Sequence, residues 1–383
     1  MRAVLSADPD AVPWPATPDG DVARRWLTPM LRHGTETFVS NARVELRVLV
    51  AGEGAEAVAL PVTLSRPDRD LAYPASPVQH YLAYAAEEAP KLSRAAGLAA
   101  RATLLPAAAL LRRTAFDRCV FVNNWLLSTN LWPALSRAHV AAAADALRRA
   151  FPGRAVVFKT VDAASAPALY AACRALGARL VPSRQTWTLG PHDPALDRLK
   201  NVRRDARRLA ETPYRVRRGE TLTHVEVARI GALYRMLYLD KYVRLNPDLS
   251  DRFLAHTARG GLLTVRAFER DGRIDAVLGY VVRNGVMTQP VFGYDTALPR
   301  ALGLYRLLAA QVLVEARAQG AAVRLLNRSA GAGRFKALRG ATPGVEVHAV
   351  FDSHLPARQR AVWDALRRLC DGLVFPAMRR LEL

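Results

Sequence analysis

Cysteine is scarce. The 383 residues hold three, Cys119, Cys173 and Cys370, far apart and with no C-x-x-C pair. That spacing argues against a disulfide framework and a thiolate zinc site, and suits a reducing compartment. The eight histidines include no H-E-x-x-H spacing, so no metal site is expected. Neither G-x-S-x-G nor a Cys–His arrangement stands out, so no covalent acyl-enzyme is expected. Long apolar runs are missing too. The best, Ala95 to Leu111, is broken by Arg101 and Pro106 and falls short of a bilayer. The opening M-R-A-V-L-S-A-D-P-D lacks the apolar core of a signal peptide. The expectation is a cytoplasmic protein with no membrane span.

Lysine is rare: of 55 basic residues, five are lysine. The net charge is +21 and unevenly spread. Residues 1–195 carry 22 basic and 16 acidic groups; residues 196–383 carry 33 and 18. The second half therefore holds most of the positive field. An anionic partner follows: coenzyme A, a carrier-protein phosphopantetheine, or RNA. With 51% apolar and 23% charged residues, the chain has the composition of a globular protein. Its length allows two domains with real cores.

Along the chain, a short helix is read near Val22–Arg32 within an otherwise irregular start. Ala42–Leu49 and Ala57–Leu64 alternate around A-G-E-G and read as a hairpin. A helical region spans about Val78–Arg113. Strand, helix, strand, helix, strand follow over Cys119–Leu127, Arg137–Ala150, Ala155–Val161, Ala166–Leu176 and Arg179–Leu189. The second half repeats this order. A helix over Val225–Tyr242 and another ending near Ala258 lead to two strands flanking Asp271-Gly272, a hairpin signal. The final elements are a strand at Val345–Phe351 and a helix from Pro356. The repeated order predicts an α/β fold of two modules, each a mixed, partly parallel sheet flanked by helices. The boundary is placed near Pro191–Pro194, giving modules 1–194 and 195–383, with the C-terminal helix in the second.

The densest signal lies between Val286 and Ala341. The strand V-M-T-Q-P-V-F-G-Y-D ends at Tyr294-Asp295. Arg300-Ala301-Leu302-Gly303-Leu304-Tyr305 then turns into a helix stopped by Gly320. A-V-R-L-L-N leads next into Ser329-Ala330-Gly331-Ala332-Gly333-Arg334-Phe335-Lys336. A helix start leaves about four N–H groups unpaired, which can face an anion. Arg300 adds a charge-assisted contact, and Gly303 lets the backbone approach closely. Asp295 is the carboxylate nearest this turn in sequence and the first candidate to deprotonate an amine. Tyr294 alternates with it and is a candidate donor to a leaving group.

This pattern resembles the GNAT superfamily of N-acyltransferases, and more narrowly the double-module branch with Fem-type aminoacyl transferases and acyl-CoA-using relatives. That family holds the donor pyrophosphate at a turn of the form Q/R-x-x-G-x-G/A between a strand and a helix. Arg300 and Gly303 match it, and Tyr305 replaces the final small residue. Phe335-Lys336-Ala337-Leu338-Arg339-Gly340 resembles the family's Y-x-x-x-G-F segment with one extra residue and phenylalanine for tyrosine. In the first half, Asn130-Leu131-Trp132-Pro133 stands where a phosphate turn would be, so that module is expected to be degenerate at its donor site.

The resemblance implies an N-acyltransferase working by direct attack, with acyl-CoA or an acyl carrier as co-substrate, no permanently bound cofactor and a small-molecule amine as acceptor. Asn327 and Lys336 are then expected beside the donor. Tyr234, Tyr238 and Tyr242, at i, i+4 and i+8 on one helical face, are expected with Lys241 to line the acceptor cleft. Two alternatives stay open. One is an aminoacyl-tRNA-dependent transferase of Fem type, with Arg203, Arg204, Arg207 and Arg208 as its RNA-contact face. The other is a non-catalytic basic binding module on the same fold.

Overall fold

The computed structural model describes residues 1–91, 93–376 and 378. It divides into two compact units. The first comprises Met1–Arg184, Val243–Asp248 and Glu346–Ala377; the second is built mainly from Gln185–Tyr242 and Leu249–Val345. A single cut at residue 194 is therefore too simple. The C-terminal helix, expected in the second module, belongs to the first. The reason is apolar: Trp363 is 1% exposed and packs with Phe116, Phe121, Val157 and Val350.

The strands are β1 (Ala3–Ser6), β2 (Glu45–Ala51), β3 (Val58–Leu64), β4 (Cys119–Val122), β5 (Ala155–Val161), β6 (Arg179–Leu189), β7 (Arg215–Arg218), β8 (Thr264–Arg270), β9 (Arg273–Arg283), β10 (Val286–Tyr294), β11 (Leu325–Asn327) and β12 (Thr342–Phe351). In the first unit they run β1-β2-β3-β4-β5-β12-β6, and in the second β6-β11-β10-β9-β8-β7. Each unit has one parallel pair, β4 with β5 and β10 with β11. The α-helices are α1 (Pro18–His33), α2 (Tyr84–Glu88), α3 (Arg94–Leu111), α4 (Arg137–Ala150), α5 (Pro167–Ala175), α6 (Lys200–Ala210), α7 (His224–Arg235), α8 (Asp251–Arg259), α9 (Leu304–Ala318), α10 (Gly333–Ala337) and α11 (Ala357–Leu369). The expected mixed, partly parallel sheets flanked by helices are present.

Local departures have physical causes. The irregular start contains β1, which pairs antiparallel with β2 from Ala3↔Ala51 to Ser6↔Val48. The strand read to Leu127 stops at Val122, where Asn123 and then Leu126 take positive φ, 59° each, and turn the chain out of the extended region. The helix read over Val225–Tyr242 is α-helical only to Arg235 and widens to a π-helix over Met236–Tyr242. One helix among the described residues, α3, has the length and composition of a weak candidate span; 11% of it is buried. Arg101 and Pro106 lie inside it, and it does not support a membrane span.

The first unit encloses a fully matched buried ion pair. Arg184 donates from Nε to Glu346 Oε1 at 3.1 Å and from Nη2 to Oε2 at 2.8 Å. Its Nη1 reaches Tyr73 Oη at 3.0 Å, and Nη2 reaches Thr129 Oγ1 at 3.2 Å.

Candidate active site

Within the second unit, β10, α9 and β11 form a strand–helix–strand crossover with its two strands parallel. The parallel register covers Val286↔Leu325 to Thr288↔Asn327 and then ends. Beyond a register shift between Thr288 and Val291, β10 continues to Tyr294 paired with β9. The stretch of β10 past its last pair with β11, Thr288↔Asn327, is called the wedge, and the first turn of α9 follows β10 at that end of the crossover.

That turn begins at Gly303, with φ 66° and ψ 32°. Only a residue tolerant of the left-handed region sits there without strain. Arg306 and Leu307 donate their amides to Gly303 O at 2.8 and 3.0 Å. The amides of Leu304 and Tyr305 have no acceptor among the described residues, and no side chain caps the helix. The corresponding crossover helix of the first unit, α4, between parallel β4 and β5, is closed. Ser136 caps it, and His139 returns the bond to the Ser136 amide in a reciprocal box.

Arg300 and Ala301 are exposed, and Leu302 is half-buried. The turn's carbonyls are held by a residue the sequence reading placed elsewhere. Arg208, on α6, donates from Nη1 to Ala301 O at 2.9 Å and to Leu302 O at 3.1 Å. A Cβ at Gly303 would stand 2.5 Å from that same nitrogen. The basic face of α6 was legible from its spacing; that its last turn grips the turn leading into α9 was not, because Arg208 and Ala301 lie 93 residues apart.

Tyr305 does not crowd the turn. Its ring turns inward, 4.7 Å from Phe335, 5.3 Å from Phe292 and 6.2 Å from Tyr294, each edge-on. Burial pushes its hydroxyl pKa up. Leu304 is buried in the core beneath.

Asp295 is not placed as a base. It is 4% exposed. Its Oδ2 accepts from Arg229 Nη2 at 2.7 Å and from Arg273 Nη2, and its Oδ1 from the Ala297 amide at 3.0 Å. Burial alone would raise its pKa; the Arg229 bond, the Ala297 amide and Arg273 outweigh burial and hold it below the usual carboxylate range. A carboxylate so held takes a proton poorly and serves as an anchor for the end of β10. The sign of the linkage follows. A depressed folded pKa gives stability that is complete above the ordinary carboxylate value of about 3.9 and is lost as pH falls through the folded value. Urea midpoints measured from pH 6 to pH 2 should fall more steeply below about pH 4 in the native chain than in Asp295→Asn. Equal slopes would remove Asp295 from the acid transition.

Tyr294 is half-buried, and its oxygen accepts from Lys241 Nζ at 2.7 Å. The ammonium also lies 5.3 Å from the ring centre. Tyr234 is buried at 1% exposure and stacked on Tyr238, with centroids 4.7 Å apart and planes 24° apart. It is core rather than cleft lining, because strand β10 comes directly against α7 at that point. Tyr238 meets Tyr242 edge-on at 6.0 Å, and Tyr242 and Lys241 are exposed.

Lys336, expected to meet a donor phosphate, is committed elsewhere. Its Nζ donates to the carbonyls of Arg328, Ser329 and Ala330 at 2.6, 3.0 and 2.8 Å. These occupy the three hydrogens of an ammonium. The loop needs that clamp because Ser329, Gly331 and Ala332 all take positive φ. Asn327 is buried, and its Oδ1 accepts the Ser329 amide at 2.8 Å. Both residues shape the loop beside the wedge. Among the described residues, no cluster of three His, Cys, Asp or Glu side chains could hold a metal.

No family model and no curated protein matches the chain. Solved structures do. FemX is similar over 85% of this chain and 90% of its own, with a TM-score of 0.51 and 9% identity. The chain has a double-module GNAT-like fold. A tandem GNAT protein from the clavulanic acid biosynthesis pathway is similar over 91% of this chain and 98% of its own, at a TM-score of 0.41 and 15% identity. The C-terminal domain of a putative lysylphosphatidylglycerol synthetase from Agrobacterium fabrum is similar over 61% and 78%, at 0.43 and 16%.

Proposed function

We propose that the second unit transfers an acyl group from a phosphate-bearing thioester, coenzyme A or a carrier-protein phosphopantetheine, to an amine. The observation that carries this reading is the uncapped start of α9, set beside strands that part. Two free amides, the Arg208 guanidinium and the exposed Arg300 give a diphosphate hydrogen bonds and charge together. The helix dipole adds about 0.3–1 kcal/mol. The unpaired edge of β10 past Thr288 can bond the amides of an extended pantetheine arm, which brings the thioester to Tyr294.

The acceptor nitrogen then attacks the carbonyl carbon, the C–S bond breaks, and the sulfur leaves with a proton. An ammonium is donor-only, so Lys241 bonds the lone pair of Tyr294 and leaves the phenolic hydrogen free to aim at the departing sulfur. Asp295 is spoken for by two guanidinium groups, so the proton of the amine passes to water. Positioning supplies most of the rate enhancement.

Calorimetry with coenzyme A tests the donor site. Gly303→Ala places a Cβ against Arg208 and puts alanine in the left-handed region, at a cost of about 1–2 kcal/mol. Coenzyme A affinity should fall roughly tenfold, and the melting temperature of the free protein should fall by about 2–4 °C for each kcal/mol of that cost. Unaltered affinity in Gly303→Ala would sink the donor assignment.

A second reading, an aminoacyl-tRNA donor, is favoured by one observation. Arg203, Arg204 and Arg207 are exposed on α6, without an ion pair among the described residues, on the helix whose Arg208 grips the donor turn. Activity that is abolished by ribonuclease and falls steeply with salt would select it.

A further inference from the structure

Among the described residues of the second unit two arginines are buried, Arg328 and Arg339, each 7% exposed, and they are treated differently. Arg339 is matched. Its Nε donates to Asp205 Oδ2 at 2.6 Å, its Nη1 to Phe335 O at 2.9 Å, and its guanidinium lies 3.4 Å from the Phe335 ring centre. Arg328 is not. Among the described residues no hydrogen bond or ion pair reaches its guanidinium, and its Nε is sealed from solvent without a partner. The nearby acid, Asp205, is already taken by Arg339. The matched Arg184–Glu346 pair of the first unit shows how this chain treats a buried arginine that serves structure.

A buried cation without an anion is costly and persists where a ligand supplies the anion. The position of Arg328 supports this. It follows directly on β11, at the wedge beside β10. There two residues face one: Arg328 donates its amide to Trp187 O at 2.8 Å, and Trp187 donates to Ser329 O at 3.2 Å. Such a bulge re-aims a side chain and is common beside active sites. Lys336 fixes the loop by holding the Arg328, Ser329 and Ala330 carbonyls. Across the bulge, Trp187 Nε1 is a second buried donor without an acceptor. Residues opposed across a strand pair share a face of the sheet. Arg328 also acts electrostatically on Tyr305, in the first turn of α9.

We propose that Arg328 is the receptor for a carboxylate carried by one of the two reacting molecules, and so selects the substrate class. The proposal rests on the acyltransfer reading of this unit. The donor phosphates are served by Arg208, Arg300 and the α9 amides on the rim. Arg328 is buried near Tyr305 and across the bulge from Trp187, where a planar, singly charged group can meet guanidinium and indole donors. The substrate is accordingly either an acyl donor with a free acid at the far end of its acyl chain, or an amine acceptor of the amino-acid type.

The test is calorimetry on the full chain, native and Arg328→Met, with a donor arm and an acceptor arm. The donor arm compares acetyl-CoA with succinyl-CoA. The acceptor arm compares L-alanine with L-alaninamide, with and without coenzyme A. In one arm the native protein should favour the carboxylate-bearing probe by about 10- to 100-fold, the worth of a charge-assisted bond. Arg328→Met should lose that preference and keep its affinity for coenzyme A within about twofold. The free Arg328→Met protein should melt no lower than the native one, since it removes an unmatched charge. No preference in either arm overturns the proposal. So does loss of coenzyme A affinity in Arg328→Met, which would make Arg328 a phosphate ligand, and so does a lower melting temperature, which would make it structural. A native protein that prefers L-alanine yet ignores every coenzyme A derivative and a phosphopantetheine-bearing carrier protein would refute the thioester reading and leave the carboxylate receptor standing.

Discussion

Gly293→Ala should lower the stability of the second unit by about 3 kcal/mol, the upper end of ordinary overpacking. A Cβ at this position would meet the carbonyl carbon and oxygen of Leu233 and the amide nitrogen of Tyr234, all at 2.7 Å. These are backbone atoms in the last turn of α7, which runs straight into the π-helix, and they cannot step aside as a side-chain tip does. Either β10 or α7 must shift. The same displacement moves Tyr294, one residue on, from the Lys241 contact, so turnover should fall with stability. Gly344→Ala is the control, because its nearest neighbour would be Thr186 Oγ1 at an ordinary 3.8 Å. Urea midpoints for the two variants decide the matter. If Gly293→Ala and Gly344→Ala behave alike, the close approach of strand and helix is not what the second unit depends on.

Arg184→Met should destabilise the first unit by about 3–5 kcal/mol, the usual result of removing one partner of a buried pair. Glu346 has 2% of its side chain exposed and would be left as a carboxylate with its counter-ion gone. Replacing both residues, Arg184→Met with Glu346→Leu, should recover most of the loss, because two apolar side chains remove both desolvation penalties. The measurement is the pair's coupling energy from a double-mutant cycle. Additive losses would show that the pair is not coupled. Set beside Arg328→Met, this experiment separates two buried arginines of one chain: one whose removal unfolds, and one whose removal is expected to leave stability intact while erasing a substrate preference.

Much of the fold was legible in sequence. The apolar alternation of β2 and β3, the helical stretch of α4 between Ser136 and Pro152-Gly153, and the strand–turn–helix order from Val286 onward all appear near their expected places. Gly303 was legible as the glycine of the turn into α9; its left-handed backbone, which favours glycine, was seen only in the structure. The roles of Asp295 and Lys336 were not legible. An aspartate after a strand reads equally well as base or anchor, and its two arginine partners come from α7 and the start of β9. Lys336 was read as a phosphate ligand because a cation in a glycine-rich turn looks available, until three carbonyls of its own loop are seen to use it.

Sequence by itself determined most of the strands and helices, where the positive charge concentrates, and the glycine-led turn into α9. Those properties are local: they depend on the period of apolar residues and on what φ a residue tolerates. Tertiary structure alone decided that Arg208 holds that turn, that the C-terminal helix packs in the first unit, and that Arg328 is buried without a counter-ion. Each depends on which distant groups meet, and the desolvation that makes an unmatched charge significant exists only once the chain has closed around it.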